Sequence, residues 1–82
     1  MIIVTATEIK AIKTNQTITL SSAKFVKEVE LLIEDTSGAV FSDNYFNLVP
    51  GVPLTIKILS LPEGSKTLRI KGVNSSVTKV IL

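Results

Sequence analysis

Cysteine, histidine and tryptophan are all missing from this chain of 82 residues. Without cysteine there is neither a disulfide framework nor a thiolate metal site. Without histidine the commonest general base and metal ligand are gone, and without tryptophan so is the broadest ring for stacking on a sugar. Aromatic residues are scarce altogether: three phenylalanines and one tyrosine. Long apolar runs are missing too. Met1-Ile2-Ile3-Val4 is cut short at Thr5, far below the length of a signal-peptide core or a membrane span. The expectation is a chain with no targeting segment and no membrane partner, excised from something longer.

What is plentiful is β-branched. Isoleucine, valine and threonine dominate and alanine is sparse, a composition for pleated strands rather than helices. The hydrophobic share of 45% is too high for a disordered tail. The length bounds one small domain, which buries only about 60–65% of its unfolded surface.

The net charge of +2 is unevenly divided, −2 over residues 1–50 and +4 over residues 51–82. A basic half raises the possibility of nucleic acid or an anionic surface. Here, however, Lys57, Lys66, Arg69, Lys71 and Lys79 are single charges set among apolar residues, as on the wet face of a sheet. Acidic and basic strands are therefore expected to face each other or solvent, with no nucleic-acid partner.

Alternation marks the strands. Ile18 and Leu20 are inward in Thr17–Leu20, Leu54, Ile56 and Ile58 in Leu54–Ser60, and Leu68 and Ile70 in Thr67–Lys71, with a closing strand over Val77–Leu82. From Ile2 to Ile12 the apolar parity changes near Thr7 and Glu8, the mark of a bulge or of a strand that switches partners. Ser21–Asp35 fits two periods. Period 2 turns Phe25, Val29, Leu31 and Ile33 inward but leaves Lys27 on the inner parity; period 3.6 makes a stripe of Phe25, Val29, Leu32 and Ile33. The strand reading is preferred, because both flanks are β and a lone helix has no helical partner. Turns fall at 35–38, 61–65 and 72–76. Strands recurring every 8–12 residues between such turns form the pattern of a β-sandwich.

The stretch Val40-Phe41-Ser42-Asp43-Asn44-Tyr45-Phe46-Asn47-Leu48-Val49-Pro50-Gly51 stands apart, since it holds three of the four aromatics. Val49–Val52 reads as a type II turn, with Pro50 presetting the first central dihedral and Gly51 accepting the positive one. Asp43 and Asn44 suit a tight turn that accepts backbone N–H groups. Phe41, Phe46 and Leu48 read as core, and Tyr45 as the aromatic left for a surface role.

Little else offers chemistry. No Gly-rich phosphate loop, metal constellation or nucleophile–base pair stands out, so no catalytic, cofactor or metal residue is assigned. Glu28 and Glu30 lie close enough on one strand face to be weighed as a catalytic pair, but a solvated face is the simpler reading. Asn15-Gln16-Thr17 and Asn74-Ser75-Ser76 match the glycosylation sequon.

Phe41-Ser42-Asp43-Asn44-Tyr45-Phe46-Asn47-Leu48-Val49-Pro50-Gly51 resembles the C-terminal immunoglobulin-like domain of β-mannosidases of glycoside hydrolase family 2. Those domains carry Ser-Asp-Asn, an aromatic, Phe, usually Asp, Leu, any residue, then Pro-Gly. Asn47 stands where Asp is usual, which keeps an Asx-type hydrogen bond and drops a charge. Ala23–Leu31 is similar to the family's preceding strand. The resemblance implies an all-β, immunoglobulin-like sandwich of about seven strands, occupying residues 1–82 as a single domain at the C-terminus of a larger enzyme. It implies a parent that removes terminal non-reducing β-D-mannose with retention, using two glutamates on a barrel domain; no position here matches either motif. Its partners would be the other domains of the same parent, with mannan or another glycan as a possible ligand, and Asp43, Asn44 and Tyr45 are the residues assigned to ligand or interdomain contact. A bacterial parent would be periplasmic or secreted. Two other readings stay open: a carbohydrate-binding module, and an unrelated bacterial cell-surface immunoglobulin-like unit.

Overall fold

In a computed structural model that describes residues 7–82, the chain forms eight strands and no helix. They are β1 (Lys10–Thr14), β2 (Thr17–Ser21), β3 (Val26–Ile33), β4 (Val40–Phe41), β5 (Phe46–Leu48), β6 (Leu54–Ser60), β7 (Thr67–Lys71) and β8 (Thr78–Ile81). Two four-stranded antiparallel sheets, ordered β1-β2-β6-β4 and β5-β3-β7-β8, face each other as a sandwich. The count exceeds the expected seven because the aromatic-rich stretch supplies two very short strands, β4 and β5, at the edges of opposite sheets.

Alternating apolar residues close the sandwich from both sides. One sheet contributes Ile18, Leu20, Ile56 and Ile58, and the other Val26, Val29, Leu31, Ile33, Leu48, Leu68 and Ile70, all buried, with Ile9 joining from the segment before β1. Phe41, Phe46, Leu54 and Val80 pack around this cluster while remaining partly exposed. Phe41 and Phe46, expected to fill the core, pack against its margin and stay partly exposed. Leu48 alone of the three is fully enclosed.

β3 settles the ambiguity of Ser21–Asp35 in favour of a strand, and a bulge explains the Lys27 that strict alternation placed on the inner parity. Val26 pairs with Leu48 and Val29 with Phe46, so three steps along β3 match two along β5. Glu28, at φ 51°, occupies the left-handed region that a non-glycine residue seldom enters. The extra residue leaves both Lys27 and Glu28 outside and shifts the parity before it. Val26 is therefore buried, and Phe25, expected inward, is 47% exposed. The unwanted inward lysine of the simple alternation disappears by the same shift.

Ahead of β1 the chain changes sheets. Thr7 makes a parallel bridge with Ser75, beside the start of β8, whereas β1 pairs with β2 of the other sheet. The Ser76 N–H donates to the Thr7 carbonyl at 3.0 Å and the Thr78 hydroxyl to the Ile9 carbonyl at 2.8 Å. The parity change at Thr7 and Glu8 marks this switch; its earlier part, Ile2, Val4 and Ala6, lies outside the described residues. The unequal charge halves also find an arrangement. Acidic β3 lies beside basic β7 with Glu30 opposite Lys71, and Glu34 pairs with Lys79 at 3.2 Å. Such an exposed pair contributes about 0–1 kcal/mol.

Gly72 permits a close approach of the β7–β8 loop to β3. A Cβ there would collide with the Val26 side chain and stand 3.0 Å from the Lys27 carbonyl oxygen. Gly72→Ala is expected to cost about 1–3 kcal/mol through this overpacking, read as a lowered midpoint in urea unfolding. Gly38→Ala, where a Cβ meets nothing within 4 Å but φ is +94°, separates the steric effect from backbone strain alone.

Candidate functional site

Ser42–Gly51 carries the chain from the edge of one sheet to the edge of the other, and its polar atoms are spent on the backbones of both. The Ser42 N–H donates to the Lys57 carbonyl at 2.9 Å, and the Ser42 hydroxyl accepts the Lys57 N–H at 2.8 Å, fixing the departure from β4 onto β6. Asp43 Oδ1 accepts the Asn44 N–H at 2.8 Å and tightens the turn. Asn44 then does what a strand residue would do. Its Oδ1 accepts the Leu31 N–H at 2.8 Å, and its Nδ2 donates to the Leu31 carbonyl at 3.1 Å. The same oxygen accepts the Tyr45 N–H at 3.1 Å.

Leu31 needs that substitute partner. β5 is only three residues long and its pairing ends at Val29–Phe46, so the next outward-facing backbone groups of β3 have no strand beside them. A carboxamide presents a donor and an acceptor side by side, a combination that an ionised carboxylate lacks. Asn47 serves the bulge in the same way, its Oδ1 accepting the Glu28 N–H at 3.0 Å. This is a bond that an Asp carboxylate at this position would also accept. A third asparagine completes the set: Asn74 accepts the Lys27 N–H at 2.9 Å and donates to the Phe25 carbonyl at 2.9 Å. Its amide is thereby engaged in the fold, whereas Asn15 of the other sequon occupies the exposed β1–β2 turn at φ 52°.

The end of the stretch behaves as its turn chemistry requires. Gly51 has φ 73°, the Val52 N–H donates to the Val49 carbonyl at 3.1 Å, and the Gly51 N–H reaches the Ser22 carbonyl at 3.2 Å. Pro50 occupies the first central position and is exposed.

Tyr45 is the surface residue of the stretch, 68% exposed and held at φ 55°. Its hydroxyl donates to Glu30 Oε2 at 2.6 Å. That hydrogen bond, together with the carboxylate's negative charge, raises the phenol above its ordinary value of 10.0. The ring stands between two recesses. One is a cavity of about 260 Å³ along Leu31–Ile33, with Gly38, Phe41 and Asn44 on its other wall. The other is a shallow depression bordered by Glu28, Glu30, Lys71 and Val73. Among the described residues no three His, Cys, Asp or Glu side chains converge as a metal site would need. Of the residues assigned to contact, Tyr45 and Asp43 are exposed, Asp43 with one oxygen in its own turn, while the Asn44 carboxamide is committed to the Leu31 backbone. Sequence reading undervalued Asn47, Asn74 and Glu30. The only available signal was the parity conflict at Lys27, which marks a strand whose backbone needs side-chain partners.

Asn44→Ala leaves both polar groups of Leu31 without their partners and is expected to cost about 1–3 kcal/mol per orphaned group, read from chemical unfolding. Asn44→Asp retains the acceptor and should fall between wild type and alanine. For Tyr45, absorbance titration should find the phenol ionising above 10, and Glu30→Gln should lower it toward the ordinary value. Because the folded value is the raised one, the stability from this contact is present below the unfolded value and is lost as pH rises through the folded one.

The chain was compared with known proteins. No curated protein and no solved structure matches it. A model of an Ig-fold domain named for mannosidases matches residues 3–77, nearly the whole chain. The two facing antiparallel sheets agree with that match, and the chain belongs to the mannosidase Ig-fold domain family.

Proposed function

We propose that this chain is a non-catalytic accessory domain of a retaining β-mannosidase, an enzyme that hydrolyses terminal non-reducing β-D-mannose residues. The observation that carries the reading is the use made of Ser42–Gly51. The residues that resemble the β-mannosidase domains direct their hydrogen bonds to β6, β3 and the loop before β3, so the signature is architectural. Retaining hydrolysis needs two carboxyl groups about 5–5.5 Å apart flanking a sugar in a pocket. Glu30 is instead tied to Tyr45 on an open surface, and Glu28 lies exposed at a bulge. The catalytic pair in this reading belongs to another domain of the parent, and the sandwich contributes a stable packing body.

A second reading has one specific observation in its favour. The Tyr45 ring is exposed, oriented by its hydroxyl contact with Glu30, and flanked by Lys71, an arrangement that could stack on a sugar and bond its hydroxyls.

One set of measurements tests both. The full open reading frame that contains this domain should release mannose from p-nitrophenyl β-D-mannopyranoside with retained anomeric configuration, while residues 1–82 alone should release none. A reading frame without that activity overturns the first reading. Mannobiose titrated into the isolated domain should leave the Tyr45 resonances unmoved; a saturable shift abolished by Tyr45→Ala would instead support the second.

A further inference from the structure

We propose that the edge of β3 at Ile33 is a binding site for a short extended peptide, a small apolar residue followed by a basic one. The site does not depend on the accessory role proposed above.

The backbone defines the site. The Glu34 N–H donates to the Thr67 carbonyl at 3.0 Å, in register with the β3–β7 ladder, so Glu30, Leu32 and Glu34 turn their peptide groups toward β7. Leu31 turns its N–H and carbonyl the opposite way, onto the Asn44 carboxamide. Ile33 lies two positions further on and therefore points its own N–H and carbonyl to that same side. Side chains close this edge as far as Leu31 and no further. The β5 pairing ends at Val29–Phe46, and among the described residues no group bonds the Ile33 N–H or its carbonyl. Ile33 is thus a core residue, 4% exposed, whose peptide groups border an open recess.

That recess is the cavity of about 260 Å³ already described, with Leu32 and Ile33 on one side and Ala39 and Phe41 on the other. It is at the small end of ligand pockets, sized for a residue or two rather than a long segment. A donor and an acceptor side by side match a residue in extended conformation, the pairing by which a strand is added to a sheet edge. Asn44 already engages the preceding rung with the same two kinds of group. A peptide laid antiparallel continues the pattern. Its first residue exchanges both hydrogen bonds with Ile33 and turns its side chain inward toward Ala39 and Phe41, which favours a small apolar one. Its second residue lies opposite Leu32 and points outward. Asn44 occupies the next place and ends the site.

Charge selects that second residue. Glu30 is the single charged side chain among those lining the cavity, and it shares the outer face of β3 with Leu32. Its Oε2 accepts the Tyr45 hydroxyl at 2.6 Å, whereas Oε1 has no partner among the described residues. A lysine or arginine opposite Leu32 reaches this carboxylate along the diagonal of the sheet. Its methylene stem lies over Leu32, which is 46% exposed.

Nuclear magnetic resonance on the isotope-labelled chain of 82 residues tests the site, with acetyl-alanyl-argininamide as the probe. Before peptide is added, the Ile33 amide should exchange with solvent at least about tenfold faster than the bonded Leu31 amide. The peptide should then shift the Ile33 resonance saturably and slow its exchange. The same peptide N-methylated at its alanine lacks the N–H that the Ile33 carbonyl accepts, and should bind at least about tenfold more weakly. Glu30→Gln should weaken the unmethylated peptide about threefold, the scale of an exposed ion pair. Citrulline in place of the arginine makes the same comparison without altering the protein. An Ile33 amide as protected as that of Leu31, or unmoved by peptide, overturns the proposal. Equal binding of the N-methylated peptide does so too, as does affinity indifferent to both charge changes. A peptide shift confined to Tyr45 and Glu30 would be charge attraction alone, and a saturable shift of Ile33 by mannobiose would make the recess a sugar site; either result also overturns it.

Discussion

Three asparagine carboxamides hold the central strand of this domain. β3 is bulged at Glu28 and outlives its partner β5, so stretches of its backbone have no strand to bond on one side. Asn74, Asn47 and Asn44 fill those places in succession, at Phe25–Lys27, Glu28 and Leu31. A backbone N–H or C=O left unpaired in a buried setting costs about as much as several favourable contacts return, and a small domain has little stability to lose. The other features depend on that strand. Val26, Val29, Leu31 and Ile33 supply much of one core wall, and the basic strand β7 pairs along the other side of β3.

The same bonds explain the economy of the aromatic-rich stretch. In a dozen residues it crosses from one sheet to the other, anchors Ser42 on β6, inserts Asn44 and Asn47 as substitute strand partners, buries Leu48 and reverses at Pro50-Gly51. Edge strands are a hazard when their backbones stay open. Here the open edge of β3 is closed by side chains rather than by a longer β5, which leaves Tyr45 outward at a left-handed backbone position. The segment is thereby a brace between the two sheets, bonded to their backbones by Ser42, Asn44 and Asn47.

Much of the candidate site was legible in the amino-acid order, though not its wiring. Pro50-Gly51 announced a turn, and the turn is there, because its two dihedrals are preferences of those two residues. Asp43 and Asn44 were recognisable as acceptors for backbone N–H groups. The identity of the N–H groups was hidden, since Asn44 reaches back 13 residues and Asn74 reaches back 47 and 49. Tyr45 was read as outward and Glu30 as solvated, yet nothing local showed that they meet.

By itself the sequence determined an all-β chain, most of its strands and the inward set Ile18, Leu20, Ile56, Ile58, Leu68 and Ile70. Alternation and turn residues act over a few positions, so they survive reading in one dimension. Only the tertiary structure decided that Phe25 points out and Val26 in, that Phe41 and Phe46 border the core, and that the segment before β1 changes sheets. A bulge is created by how two strands register, and an edge is defined by which neighbour is missing. Both are relations between distant segments, and no periodicity within one segment encodes them.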